Sequence, residues 1–190
     1  LTNDISVTTM VGASTAKFAG IFAGGGHTLT LNYGTAGSPL SYAVAAPFRY
    51  VQGATISYLH VAGNIYTCNQ KAGSLIGEAY GSNTLTNCWA SVVITSSNSG
   101  DGTTGGIIGL ILNGTTSFTN CLFDGKLLST NNTYNCGGFV GWTESNNNAI
   151  ARFNNCFFNP SQVTMSTSGA QTFARVGRAD IYLSLGNCYY

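Results

Sequence analysis

The chain has 190 residues and a formal net charge of +1, with 7% charged, 44% hydrophobic and 12% aromatic residues. So small a charge provides no basic surface for nucleic acid or for an anionic membrane, and the apolar content is too high for a disordered chain. The longest apolar runs are far shorter than the roughly 20 residues of a membrane-spanning helix. We therefore expect no nucleic-acid partner and no membrane insertion.

The N-terminal region differs from the rest of the sequence. The chain begins at Leu1 with no initiator methionine and no charged-then-apolar leader, which is typical of a processed protein or an excised segment. Residues 1–16 are polar and out of phase with the remainder of the chain, so we expect an N-terminal cap or arm there. Six cysteines and the glycosylation-type sequons at Asn113 and Asn131 are compatible with secretion. An extracellular or cell-surface location is expected.

Residues 17–190 are predicted to form one repetitive all-β domain. Short β-rich runs such as 91–95 and 107–112 alternate with clusters of Gly, Asn and Ser, and helical periodicity is nearly absent. A phrase of two small residues, two apolar residues and glycine ends at Gly77, Gly109 and Gly141, 32 residues apart each time, with a looser copy ending at Gly177. Such a period is typical of a solenoid, and it fits a coil of a parallel β-helix better than a propeller blade of roughly 40 residues. We expect about five to six coils.

A second phrase keeps step with the first and predicts a ladder of stacked side chains. Its Asn-Cys pairs recur every 32 to 35 residues, and Leu59 occupies the equivalent position one repeat earlier. In parallel coils, equivalent residues lie about 4.8 Å apart, so the asparagines are predicted to stack at a bend and the cysteines to point inward. The ladder comprises Asn87, Asn120, Asn155 and Asn187, followed by Cys88, Cys121, Cys156 and Cys188.

The cysteine spacing also bears on disulfides. Cys68 and Cys136 each precede a ladder cysteine by 20 residues, which predicts equivalent positions two coils apart, about 9.6 Å by strand spacing. That separation is too long for a disulfide. Neighbouring ladder cysteines lie within bonding distance, but a buried thiol row needs no bonds, and reduced thiols are favoured.

The residues directly after the ladder cysteines form a candidate interaction stripe. If the cysteines point inward, strand alternation turns the next side chains outward, and exposed apolar stripes mark interfaces. The alternatives are that a loop covers the stripe or that inside and outside are reversed. The stripe comprises His60, Trp89, Leu122, Phe157 and Tyr189.

Catalytic and metal-binding patterns are weak in this sequence. The six acidic residues do not share a repeat position in adjacent coils, so no carboxylate pair for glycoside cleavage is predicted. His27 and His60 lack cysteine or carboxylate neighbours at metal-ligand spacing. We therefore expect no enzyme activity, no cofactor and no metal.

The repeat phrases resemble those of GLUG-motif proteins, in which Gly-Gly-Leu-Val-Gly precedes an Asn-Cys strand. Residues 18–29 resemble the lead-in that often precedes such repeats, although Ala23 and Gly25 replace the usual Asp and Asn, and residues 46–63 resemble a degenerate copy. The resemblance covers roughly residues 17–190. It implies a right-handed parallel β-helix in a bacterial extracellular adhesin-like protein.

These observations predict an extracellular structural or adhesion module that binds through a side face or an end of the solenoid. The alternative is a carbohydrate-binding or carbohydrate-active β-helix, and a third possibility is a filament subunit. Residues 181–190 remain apolar and in repeat phase, so the last coil is predicted to be covered by another polypeptide: a following domain of the parent protein, a protein partner, or a copy of the same chain as the next subunit of a filament. Surface glycans are a further possible partner.

Overall fold

The fold is a parallel β-solenoid of about five turns, seen in a computed structural model that describes residues 1–134, 136–165, 172–176 and 179–190. Every strand pair in this part of the chain is parallel, and partners lie about one repeat apart in sequence, as in Thr86 with Thr119 and Trp89 with Leu122. The all-β, single-solenoid prediction is therefore confirmed. Each turn passes through three strand-bearing faces.

The first face is a six-stranded sheet with one strand from each successive turn. Its side chains alternate between the core and the surface, so that Ile56, Leu85, Phe118 and Phe153 stack inside. The strands are Ile21–Ala23, Thr55–Ser57, Asn83–Thr86, Thr115–Thr119, Ile150–Asn154 and Leu183–Gly186.

The second face is a nine-stranded sheet that begins after the asparagine bend. The long strand His60–Thr67 lies at its centre and pairs with two short strands of the next turn. The other strands are Ile5–Val7, Thr28–Tyr33, Trp89–Ala90, Val93–Ser96, Leu122–Phe123, Lys126–Ser129, Phe157–Phe158 and Gln162–Val163.

The third face is a five-stranded sheet, reached through connections that carry two small sheets. Its strands are Phe48–Gln52, Ile76–Tyr80, Ile108–Ile111, Val140–Thr143 and Ala174–Val176. The small sheets pair Val44–Ala45 with Lys71–Ala72 and Gly100–Asp101 with Thr133–Tyr134. Two short helices complete the described structure, a 3-10 helix at Ser145–Asn147 and an α-helix at Ala179–Tyr182.

The core fills the space enclosed by the three faces. Its later turns hold an aromatic cluster in which Phe118 stacks on Phe153 at 4.5 Å between centroids and Phe139 packs against both. Phe173 extends this cluster. Full burial of such a side chain contributes roughly 1.5–3 kcal/mol, so stacked turns stabilise one another through a continuous apolar interior.

The repeated glycines form a row that lets two backbone segments approach closely. Gly77, Gly109 and Gly141 are equivalent in the third-face register. A β-carbon on Gly109 would lie 2.8 Å from the Gly77 carbonyl oxygen and 3.1 Å from the backbone of Ala72. The row is therefore fixed by the lack of space for any side chain, which explains why the five-residue phrase ends in glycine.

The two terminal segments join the solenoid as edge strands. Within residues 1–16, Ile5–Val7 pairs in parallel with residues 29–31, and the Thr9 carbonyl accepts a hydrogen bond from the Tyr33 hydroxyl at 2.6 Å. At the other end, Leu183–Gly186 pairs with Ile150–Asn154 as the last strand of the first face. Gly177, the end of the looser fourth phrase, lies outside the described residues.

Candidate functional site

Each bend of the ladder places one residue in the left-handed backbone conformation. Asn87, Asn120, Asn155 and Asn187 have φ values of 51° to 54°, and Tyr58 has the same conformation one turn earlier. Asparagine tolerates this region better than other residues with a side chain. Asn120 Nδ2 donates to Asn87 Oδ1 at 2.9 Å, and Asn155 Nδ2 donates to Asn120 Oδ1 at 3.2 Å. The predicted ladder thus links three consecutive turns by side-chain hydrogen bonds.

The ladder cysteines lie on the inner side of this bend. Cys88, Cys121 and Cys156 are buried and Cys188 is half-buried, and all six cysteines of the chain are free thiols. Hydrogen bonds between neighbouring thiols lower the pKa of Cys156 to about 7, raise that of Cys121 and lower that of Cys88. The row is a close-packed column of small, weakly polar side chains.

The interaction stripe lies on the outer surface of the second face. Its members are in direct register, with Trp89 between His60 and Leu122, and with Phe157 between Leu122 and Tyr189. Trp89, Phe157 and Tyr189 are 42%, 43% and 67% exposed, whereas His60 and Leu122 are half-buried. The His60 and Trp89 rings are stacked 3.9 Å apart with an interplanar angle of 12°. The stripe is therefore an outward-facing row about 20 Å long by strand spacing.

Polar contacts fix His60 and Trp89, the first two members of the stripe. His60 Nδ1 lies 3.2 Å from Thr28 Oγ1, and His60 Nε2 lies 2.8 Å from Ser91 Oγ. Trp89 Nε1 donates to Asp124 Oδ1 at 2.7 Å. Burial lowers the pKa of His60, against the raising influence of Asp124 and Asp4. The imidazole therefore favours its neutral form, which accepts one hydrogen bond and donates the other.

The Ser91–His60 contact has the spacing of a nucleophile and its base, but the described groups around it do not complete a hydrolase site. The second ring nitrogen meets the Thr28 hydroxyl, not a carboxylate. The Ser91 amide is already bonded to the Val61 carbonyl, and the Trp89 amide to the Leu59 carbonyl. Neither amide is thus available to stabilise an oxyanion, so the contact fits a structural role.

A cleft that the sequence did not reveal opens beside the third face. It has a volume of about 410 Å³, within the roughly 300–1,000 Å³ of small-molecule pockets. It lies between the third-face strands and the connections that precede them. Its lining comprises Gln70, Lys71, Asp101, Thr103, Leu110, Leu112, Trp142, Glu144 and Arg175.

Charged side chains on the cleft rim are held by neighbouring groups. Arg175 Nη1 lies 3.3 Å from Asp101 Oδ1, and its guanidinium lies 4.4 Å from the centroid of the Trp142 ring. Lys71 forms an ion pair with Glu78. Trp142 Nε1 donates to Glu144 Oε2 at 3.2 Å.

Two of these carboxylates also make local contacts that fix their orientation. Glu144 Oε1 accepts from the Asn146 amide at 3.2 Å and so caps the 3-10 helix. Glu78 Oε2 accepts from the Tyr80 hydroxyl at 2.8 Å. Burial, together with this hydrogen bond, raises the pKa of Tyr80 to about 12. Glu144 therefore stabilises the fold as well as lining the cavity, and Glu78 fixes the lining residue Lys71 from outside it.

Other kinds of site are not evident in the described ranges. Residues 1–134, 136–165, 172–176 and 179–190 contain no group of three His, Cys, Asp or Glu side chains arranged to hold a metal ion. No helix in the same part of the chain is long and apolar enough to cross a bilayer.

The geometry defines a parallel β-solenoid with an exposed aromatic row on one face and a mixed-charge cleft beside another. Comparisons with protein-family models, with curated proteins and with solved structures return no match to this chain. Its function is therefore inferred from its surfaces.

Proposed function

We propose that this chain is an extracellular adhesion module that binds a protein partner through the aromatic stripe. The exposure of Trp89, Phe157 and Tyr189 along one outer face carries this proposal. Exposed apolar patches mark interaction surfaces, and Trp and Tyr are enriched among interface hot spots. A rigid sheet also presents these side chains in a fixed order, so little conformational entropy is lost on binding.

The ring geometry favours a protein surface over a sugar as the partner of the stripe. His60 and Trp89 cover one face of each other's ring at 3.9 Å, and Leu122 lies in register on the far side of Trp89. The edge of the Trp89 ring therefore points outward. Sugars stack on open ring faces, whereas an exposed ring edge suits apolar contact with another protein.

We further propose that the chain is a GLUG-motif protein and that its coil is right-handed. The 32-residue phrase and the in-phase Asn-Cys pairs support them, and the stacked turns provide the repetitive scaffold that such proteins require. The extracellular or cell-surface location rests on the same resemblance.

We also propose that further polypeptide covers the C-terminal turn, as a following domain of the parent protein, a copy of this chain or a protein partner. Leu185 continues the core row of Phe118 and Phe153, but it is 51% exposed where Phe153 is 3% exposed. An inward-pointing leucine gains its full burial energy only if a further layer packs on it. Open strand edges also favour further pairing.

The stripe is tested by surface plasmon resonance over immobilised fibronectin, fibrinogen, type I collagen and the chain itself. Trp89→Ser and Phe157→Ser are each expected to weaken binding to the recognised probe about tenfold or more, the effect of losing an interface hot spot. Ile21→Ser is the matched control, because Ile21 is 80% exposed but lies on the first face. Equal binding by the parent and both stripe variants would contradict the proposal.

The C-terminal contact is tested by sedimentation velocity over a range of protein concentrations. Self-association that Leu185→Lys abolishes, and that Tyr134→Lys leaves unchanged, would support a copy of the chain as the partner. Tyr134 is 40% exposed and lies in the small sheet with Gly100–Asp101, not in the first face that Leu185 ends. A monomer at all concentrations would rule out the self-assembled form.

We further propose that the module has no hydrolase or lyase activity. The hydrogen-bonded amides around Ser91 and the structural contacts of the carboxylates support this view. A broad ester and polysaccharide panel is expected to show no turnover. Turnover that Ser91→Ala, Asp124→Asn or Glu144→Gln removes would overturn it.

A further inference from the structure

We infer that the cleft beside the third face is a saccharide-binding site that takes a neutral hexose unit, separate from the aromatic stripe. The cleft combines an apolar floor with a polar rim. The buried Leu110 and the half-buried Leu112 supply apolar surface, and the exposed Gln70 and Asp101 lie at the opening. Trp142 contributes the edge of its ring, because Arg175 lies over one face. A hexose has the matching form, since its ring has C–H faces and its edge carries hydroxyl groups that both donate and accept hydrogen bonds.

The charge balance of the cleft favours a neutral ligand over an anionic one. Its lining includes two cationic side chains, Lys71 and Arg175, and two anionic ones, Asp101 and Glu144. Arg175 is paired with Asp101, and Lys71 with Glu78 behind the rim. With Glu78 counted, three carboxylates lie against two cationic side chains among the described residues, so a free anion gains little by entering.

The same groups retain hydrogen-bonding capacity toward a polyhydroxyl ligand. A carboxylate offers about four acceptor sites and an ammonium group three donors. Asp101 uses Oδ1 toward Arg175, which leaves acceptor sites on Oδ2. Lys71 uses one of its three donors toward Glu78, which leaves the other two. Charge-assisted hydrogen bonds are stronger than neutral ones. Because internal ion pairs hold the rim, these groups are oriented before a sugar arrives, which lowers the entropy cost of binding.

The positions of the two tryptophans make this inference testable without interference from the stripe. The chain has two tryptophans, Trp89 in the stripe and Trp142 in the cleft. The variant Trp89→Phe therefore leaves Trp142 as the sole indole reporter. Its emission is titrated with glucose, galactose, mannose, N-acetylglucosamine, cellobiose, maltose and lactose.

A saturable change in Trp142 emission with at least one of these sugars is expected, with a Kd on the order of 1 mM. In the same background, Asp101→Asn is expected to weaken the binding about tenfold, the usual effect of losing a charged hydrogen-bonding partner. Gln70→Ala, on the exposed rim, is expected to weaken it by a smaller factor and provides a variant that does not disturb the ion pairs. Asp124→Asn, on the second face, is the matched control and should titrate like the parent.

Three results would overturn the inference. The first is the absence of a saturable change with every sugar in the panel. The second is unchanged affinity in both Asp101→Asn and Gln70→Ala, with circular dichroism showing that the variants are folded. The third is tighter binding of galacturonate than of galactose, since that would identify an anion site. Binding at the stripe is unaffected by any of these results, so the two proposals fail independently.

Discussion

Asn120 donates a 2.9 Å hydrogen bond from Nδ2 to Asn87 Oδ1, although 33 residues separate the two in sequence. Both residues adopt φ of 54°, and each marks the same bend in successive turns. The side-chain contact therefore joins two positions that already share an unusual backbone conformation. Conformation and hydrogen bonding both select asparagine here, and substitutions can separate the two contributions.

Asn120→Ala is expected to reduce the free energy of unfolding by about 1–3 kcal/mol, because alanine loses the ladder contacts and tolerates positive φ poorly. Asn120→Gly loses the same contacts but adopts this φ freely. It should be the more stable of the two by about 1 kcal/mol. Urea denaturation of the three proteins measures the difference, and equal stability of the two variants would show that backbone strain plays no part.

Gly109→Ala is expected to destabilise the solenoid by at least about 1–3 kcal/mol, the usual cost of overpacking. Its β-carbon would lie 2.8 Å from the Gly77 carbonyl oxygen, part of the backbone that cannot move aside. Gly37→Ala is the matched control because a β-carbon there meets nothing within 4 Å. Thermal unfolding should separate the pair, and similar melting temperatures would refute the account of the glycine row.

The stability of the protein is expected to rise with pH below about 6.5 through His60. Burial lowers the pKa of His60 in the folded state below the ordinary value of 6.5, so the unfolded chain binds more protons in this window. This contribution is complete above pH 6.5 and is lost as the pH falls through the folded pKa. Asp4, whose pKa is lowered by the hydrogen bond from the Thr28 amide, acts in a separate window below 3.8.

Urea denaturation at pH 7 and at pH 5 tests the His60 prediction. The parent protein should lose more stability between these values than His60→Gln, whose side chain does not titrate. An NMR titration of the imidazole gives the folded pKa directly. A His60 pKa above 6.5 would reverse the sign of the expected effect.

Thiol labelling is expected to follow burial, and not the order of pKa values. Cys68 is exposed, whereas Cys136 is buried and its pKa is raised by burial to about 11. Cys156 has a lowered pKa but no solvent access. Reaction with Ellman's reagent should therefore show one fast thiol in the native protein, a slower reaction at the half-buried Cys188, and six thiols after denaturation. Cys68→Ser should remove the fast phase, and its persistence would indicate an open ladder.

The equivalence of Cys68 and Cys136, inferred from their equal spacing to the ladder, is wrong. Register places Cys68 beside Ser97 and Thr130, because Thr67 pairs with Ser96 and Ser96 with Ser129. Cys136 lies after the next bend, where its thiol meets the Gly102 carbonyl. Ala72, which pairs with Thr104 of the next turn, follows Cys68 by four positions. Thr104 follows Ser97, the register partner of Cys68, by seven positions. Loops of unequal length break the register that a fixed spacing assumes.

The sequence by itself determined the stacked turns, the asparagine bend with its inward cysteines, and the outward stripe. All three depend on a repeat of about 32 residues and on strand alternation, which are local properties of the chain. Only the tertiary structure decided the cleft and the contacts of His60 with Thr28 and Ser91. Lys71, Asp101 and Arg175 occupy different repeat positions, and the connecting loops and the register of neighbouring turns bring them together. The repeat period does not reveal such a site, because its residues are brought together by the lengths of the connecting loops.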